Sequence, residues 1–416
     1  MDETGAPSLT TRSMRARNRH QLLELLREHG VLSQAEIARK TGLSRTTVSS
    51  LVAELRGAGL ISPSLQSPSP PEGEGRGGGG RHPNAQGGRP PVMLALDDSA
   101  GAAVGIDVGL GHVRVAVANL AHTVLSERVR ELDPGQAADA SLSVIAGLVG
   151  EALAAADVAS TRVIGVGLGL PAPIDRARGT VASSSILPGW RGVQAAHELS
   201  GRLDLPVELD NDANLGALAE TVWGAGRGCA HVVYVKASER IGCGLVLDGV
   251  LFRGARGIAG EIGHTIVNQS GPVCTCGSRG CLETVAAAPA IAELLRLSHR
   301  DHLTLERVVA LAADGDPGCQ RAVADVSAEI GIAVGNVCNL LNPERVVIGG
   351  TLSRGGDLVL EPIRQAVRRA TRQFTTEMAD VAPAKLGDRA EVLGALALVM
   401  RDASRRFSLR VDASLL

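Results

Sequence analysis

A stretch of glycine and proline divides this chain into two parts that must find their cores separately. Across positions 62–90, 14 of 29 residues are Gly or Pro, and Gly77 to Gly80 run without interruption. Such a segment cannot bury enough apolar surface to offset the entropy of ordering it. It is expected to be an enlarged wing tip or a linker over 62–91. A short part, 1–61, stands before it and a long part after it. At 416 residues the chain has room for two to three domains.

The short part reads as helices only, from about residue 17 to 61. Leu22, Leu23, Leu25 and Leu26 mark an opening helix that ends near Gly30. Ser33 then stands three residues before Glu36, the spacing of a capping box, ahead of Ile37 and Ala38. Gly42 breaks that helix and Ser44 caps the next. In the latter, Val48, Leu51, Val52 and Leu55 recur at helical spacing. Helix, glycine turn, helix is the helix-turn-helix layout, whose second helix enters the major groove by its N-terminal end. The residues expected to meet DNA are Ser33 and Gln34 on the first helix and Ser44, Arg45, Thr46, Thr47 and Ser49 on the second. Residues 1–60 carry nine Arg/Lys against six Asp/Glu, although the whole chain has a formal net charge of −2. Arg89, in Gly87-Gly88-Arg89-Pro90, sits on a thin backbone suited to a narrow minor groove.

Beyond about residue 92 the pattern changes. Val104 to Ile106, Val113 to Ala118, Val163 to Leu168, Val207 to Leu209, His231 to Val235 and Val346 to Ile348 read as strands. Ala-rich segments near 140–156, 284–297 and 321–341 read as helices. This interleaving indicates an α/β architecture with ligand loops at strand ends.

Within it, Glu261 to Glu283 reads EIGHTIVNQSGPVCTCGSRGCLE. Cys274, Cys276 and Cys281 fall within eight residues, with His264 ten positions upstream. Thiolates plus an imidazole suit tetrahedral zinc, and four protein ligands leave no open position, so a structural Zn2+ is expected. Seven cysteines, three of them committed to metal, fit a reducing compartment better than a disulfide framework. With no signal peptide and no apolar run long enough to span a bilayer, the expectation is a cytoplasmic protein without a membrane partner, on the nucleoid when bound to an operator.

The segments Gly105-Ile-Asp-Val-Gly109, Gly167-Leu-Gly-Leu-Pro171, Leu209-Asp-Asn-Asp-Ala-Asn214, Glu261-Ile-Gly-His264 and the cysteine knuckle, in that order, resemble the ROK family of repressors, open reading frames and sugar kinases. A helix-turn-helix in front is similar to the family's repressor branch. The resemblance implies a winged helix-turn-helix head and a two-lobed, actin-like (ribonuclease H-like) ATPase body. It places lobe 1 at 92–210, with a C-terminal helix of about 388–405 returning to it, and lobe 2 with the knuckle at 211–387. It also implies homodimers or homotetramers, and a monosaccharide or sugar-phosphate effector bound by Asn211, Asp212, Glu261, His264 and Glu283. In the family's kinases the residue at 212 is the general base, and here it is expected to be vestigial.

Two phosphate loops depart from the kinase pattern. Leu110, Gly111 and His112 stand where Gly-Thr-Lys is expected, and Ser238, Glu239 and Arg240 where Gly-Thr-Gly is. Glu239 would repel phosphates, and Arg240 removes a glycine needed for close backbone approach. Gly349 and Gly350, which would face adenosine, are kept. A sugar-responsive DNA-binding regulator is therefore favoured over the alternative of an ATP-dependent, glucokinase-like sugar kinase with an added regulatory domain.

Overall fold

The computed structural model describes residues 15–64 and 92–401, except 16, 17, 20, 24, 27, 28, 58, 98, 99, 134, 177, 183–186, 300–302 and 372–378. Arg89 and most of the Gly/Pro segment thus lie outside the described residues.

In the head, helical residues between 15 and 29 bury Leu22, Leu23 and Leu26. A two-residue strand, β1 (Leu32–Ser33), leads into α1 (Gln34–Thr41). The capping box forms as its spacing predicts: Glu36 N–H donates to Ser33 Oγ at 3.3 Å, and Ser33 N–H donates to Glu36 Oε2 at 2.8 Å. The helix stops at Gly42, whose φ of 70° is left-handed. Ser44 then caps α2 (Arg45–Gly57) by accepting from Thr47 N at 3.1 Å, and Val48, Leu51, Val52 and Leu55 form its buried face. Glu54 holds the opening helix to α2 by accepting from Arg15 and Arg19.

The head is not all helical. Strands β2 (Ile61–Ser64) and β3 (Met93–Leu96) pair antiparallel from Ile61↔Leu96 to Ser64↔Met93, and β1 pairs with the other edge of β3. Residues 92–96, read from sequence as the start of the body, therefore complete the head. Ile61 and Leu94 are buried, and this burial rather than local propensity selects the strand. The segment 65–91 consequently connects two paired strands, the position of a wing.

The body is built on two five-stranded sheets. The first combines β4 (Ala102–Val108), β5 (His112–Asn119), β6 (Val124–Glu131), β7 (Val163–Leu170) and β10 (Val207–Asn211), in the order β10-β7-β4-β5-β6. A small ribbon of β8 (Ile174–Asp175) and β9 (Thr180–Val181) follows β7. The second sheet combines β11 (Val232–Ala237), β12 (Ile241–Leu247), β13 (Val250–Phe252), β14 (Arg345–Gly349) and β15 (Asp380–Pro383), in the order β13-β12-β11-β14-β15. Each sheet thus places three successive strands side by side and adds its fourth and fifth beyond the first. This repeated order is the two-lobed actin-like plan. Every residue of β4 and of β7 is buried, as strands covered on both faces must be.

Helices α3 (Ala138–Ala155) and α4 (Ala195–Leu203) belong to the first half, α5 (Asp212–Val222) leaves β10 and packs chiefly on β11 and β12, and α6 (Glu283–Ala286), α7 (Ala288–Leu295), α8 (Leu305–Ala313), α9 (Pro317–Leu341) and α10 (Asp357–Ala370) belong to the second half. The last, α11 (Ala390–Arg401), lies against β7 and α5 through glycines. A Cβ at Gly167 would collide with the backbone of Ala395, and one at Gly394 with the backbone of Leu215. The sequence therefore needs glycine there to let backbones meet. By length and composition alone α3 and α9 pass the test for crossing a membrane, a test that buried core helices also pass. About half of each apolar window is buried inside the protein, at 44% and 50%.

Candidate functional site

Strand β10 runs parallel to β7 and ends at Asn211, where the chain turns directly into α5. Asn211 is the N-cap, its Oδ1 accepting from Ala213 N at 2.9 Å, while its Nδ2 donates to Ala172 O at 3.1 Å. Asp212 occupies the first turn and is buried. Around this strand end a cleft of about 390 Å³ opens. Its walls include all five residues that the resemblance assigns to sugar: Asn211, Asp212, Glu261, His264 and Glu283. Both phosphate-loop segments and Gly350 line the same cleft.

Charge pairing inside the cleft is dense. Asp212 Oδ1 accepts from Ala213 N at 2.8 Å, and its Oδ2 accepts from Lys236 Nζ at 2.8 Å. The same ammonium lies 3.1 Å from Glu391 Oε1 on the first turn of α11. Burial alone would push the Lys236 ammonium down, but the carboxylates of Asp212, Glu391 and Asp107 hold it well above the ordinary lysine value. Arg240 donates to Glu283 Oε1 at 2.7 Å, so this replacement in the second phosphate loop reaches a predicted sugar carboxylate. Burial, reinforced by the charges of Asp212 and Glu283, pushes Glu261 up to about 7. In the first loop the His112 ring packs over Gly109, with Nε2 3.3 Å from Asp107 Oδ2. The buried Asp107 Oδ1 has no hydrogen-bond partner among the described residues.

At the cleft's edge the four atoms expected to bind metal converge. The ligand atoms of His264, Cys274, Cys276 and Cys281 lie within 4.8 Å of one another. Cys276 Sγ and Cys281 Sγ are 3.7 Å apart, and Cys274 Sγ is 3.6 Å from His264 Nδ1. Tetrahedral zinc with bonds of roughly 2.3 Å to sulfur requires edges of about 3.8 Å, so this donor set fits the ion in chemistry and spacing. The other ring nitrogen of His264, Nε2, faces Glu261 Oε2 at 3.9 Å. Burial and the neighbouring thiols push Cys281 up to about 12, whereas a hydrogen bond from the Ser278 backbone lowers Cys276.

In the head, Ser44, Arg45, Thr46 and Ser49 are exposed at the start of α2, and Thr47 and Gln34 are partly so. Ser33 is different. It is 7% exposed and its hydroxyl donates to Glu36, which gives it to the cap rather than to the surface. Sequence reasoning missed Lys236 and Glu391, although a lysine inside the apolar run Val232–Ala237 is a usable signal. It also missed Asp210 as a node. Its Oδ2 accepts from Arg253 Nε at 2.6 Å and Arg176 Nη1 at 3.4 Å, and its Oδ1 from Asn214 Nδ2 at 2.9 Å.

This fold and this cleft define a class, and the chain belongs to the ROK family, which matches residues 103–402. A winged helix-turn-helix DNA-binding family matches residues 15–62. More particularly, the chain is 30% identical over 400 residues to the xylose repressor of Caldicellulosiruptor bescii, covering 92% of this chain and 96% of that one. Its fold superposes on the crystal structure of a ROK family transcriptional regulator, a homolog of the E. coli MLC protein, with a TM-score of 0.78 at 24% identity, covering 95% and 98% of the two chains. The body also resembles a ROK family glucokinase from Streptomyces griseus in complex with glucose and AMPPNP, at a TM-score of 0.64 and 29% identity over 72% of this chain and 99% of that one.

Proposed function

We propose that the chain is a sugar-responsive transcriptional repressor, with the body as sensor and the winged helix-turn-helix as output. The observation that carries this reading is one cleft that gathers Asn211, Asp212, Glu261, His264 and Glu283 in a chain headed by a DNA-binding fold. Fixed carboxylates and amides discriminate among pyranoses because the wrong epimer leaves them unpaired. Likeness to xylose repressors along nearly the whole chain supports the same reading.

Zinc held by His264 Nδ1, Cys274, Cys276 and Cys281 would brace the pocket without doing chemistry. Metal on one ring nitrogen fixes the aim of the other toward the sugar, and Leu282-Glu283 follows directly on the last ligand. Operator contacts fall to Gln34, Ser44, Arg45, Thr46, Thr47, Ser49 and Arg89, in a homodimer or homotetramer whose paired heads meet half-sites about 34 Å apart. Sugar that binds one body conformation better shifts its population. The coupling to operator binding is typically ~1–3 kcal/mol and reciprocal.

Kinase activity is disfavoured on two grounds. His112 covers Gly109, and Arg240, standing where a phosphate-loop glycine is expected, is drawn to Glu283. Calorimetry of the full chain with pentoses, hexoses and amino sugars, followed by operator binding with each hit, tests the proposal. Binding of at least one sugar that changes operator affinity is expected. Sustained, sugar-dependent ADP release in a coupled assay would instead establish a kinase.

A further inference from the structure

Lys236 belongs to none of the expected contacts, yet it lines the cleft beside Asp212. Strand β11 delivers it from an otherwise apolar run between Tyr234 and Ala237, both buried. Its ammonium has three N–H bonds. Two are directed at Asp212 Oδ2, 2.8 Å away, and Glu391 Oε1, 3.1 Å away, and no further partner is present among the described residues. Asp212 in turn keeps acceptor capacity beyond Ala213 N and Lys236, since an ionised carboxylate offers about four lone-pair sites. Donor and acceptor therefore sit 2.8 Å apart on the wall of one cleft. A hydroxyl is the ligand group that needs both at once, because its oxygen accepts while its hydrogen donates.

We propose that Lys236 is itself an effector-binding residue, gripping one ring hydroxyl of the sugar together with Asp212, the ammonium donating to its oxygen and the carboxylate accepting its hydrogen. The proposal rests on the sensor reading above and sharpens it: position 236 sets which hydroxyl pattern is read. Glu391 has the supporting task. It is 5% exposed and holds the ammonium from the side of α11, so the lysine keeps one direction. A hydrogen in place of that hydroxyl leaves both members of the pair unanswered, a protonated amine leaves the Lys236 donor without an acceptor, and such buried orphans are costly. The same geometry disfavours a phosphate at this position, since the Asp212 carboxylate would face it.

The test uses the full chain, calorimetry, a panel of neutral monosaccharides and the single-deoxy analogues of the tightest binder. Lys236→Gln is expected to weaken the parent sugar by about 10- to 100-fold, the range for losing a charge-assisted hydrogen bond. One deoxy analogue should bind wild type about as weakly as it binds the variant, because the group that Lys236 grips is already gone. Lys236→Arg keeps both ion pairs, guards against a folding defect, and should produce the same analogue pattern through its displaced donors. Equal binding of the parent sugar to wild type and Lys236→Gln overturns the proposal, as does a uniform loss across all analogues. A wild-type protein that binds no monosaccharide overturns the sensor reading and this proposal with it, whereas sugar binding indifferent to position 236 overturns this proposal alone.

Discussion

Replacing Arg253 by alanine tests how the ligand-bearing turn is held. Asp210 is 3% exposed, and its Oδ2 accepts from Arg253 Nε at 2.6 Å and Arg176 Nη1 at 3.4 Å. Removing one partner of a fully buried pair costs about 3–5 kcal/mol. The Arg253 side chain is 20% exposed and Arg176 remains nearby, so about 2–3 kcal/mol is expected here. In a domain of this size that lowers Tm by roughly 4–10 °C. Arg176 is 49% exposed and at longer range, so Arg176→Ala should cost under ~1 kcal/mol. Urea unfolding of both variants, and of Arg253→Ala with Asp210→Asn, gives the comparison. The double variant should fall short of additivity by about 1.5 kcal/mol, because the stranded carboxylate is gone. Equal losses for the two arginine variants, or strict additivity, would refute the view that Asp210 is anchored chiefly by Arg253.

Cys276→Ser should lower metal content by mass spectrometry and sugar affinity together; unchanged affinity in metal-free protein would detach the knuckle from the pocket. Ser33→Ala should destabilise the head by about 1 kcal/mol through loss of the cap, read from its melting transition. The Ser33 backbone N–H, then its hydroxyl, hold the Glu36 carboxyl below its usual value, so this contribution is present above the ordinary glutamate range and fades as pH falls through the lowered value. The melting difference between wild type and Glu36→Gln should therefore shrink in acid; a gap that widens there contradicts the sign. Gly167→Ala should reduce folded yield sharply, because Ala395 backbone occupies the space its methyl needs, and a wild-type melting curve would show that α11 yields easily.

Local features of the chain announced their structures well. The Ser33 to Glu36 spacing, the glycine at 42 and the Val48 to Leu55 period depend on neighbours a turn away, and the head formed as they indicate. The six strand candidates fall on strands, although His231 precedes the strand Val232–Ala237, and His264 with its three cysteines meets as the C-x-C-G-x-x-G-C spacing suggests. What stayed hidden depends on long-range partners. Met93–Leu96 became a head strand only because β2, some thirty positions earlier, offers a ladder and a buried seat for Leu94. Lys236 meets Glu391 across more than 150 residues of sequence, and no periodicity reports such a meeting. Ser33 shows the opposite error: a polar residue suited to DNA was already spent on its own helix.

The ladder between Ile61–Ser64 and Met93–Leu96 has a mechanical corollary. Residues 65–91 leave and re-enter the protein at adjacent points, one strand spacing of about 5 Å apart. The residues flanking the segment are thus held side by side by the ladder. The covalent path from the head's last strand onward to β4 is the handful of residues after Leu96. A protease cut inside this segment would give two fragments still zipped together through β2 and β3, and a tag inserted there would lengthen no covalent path between α2 and the body.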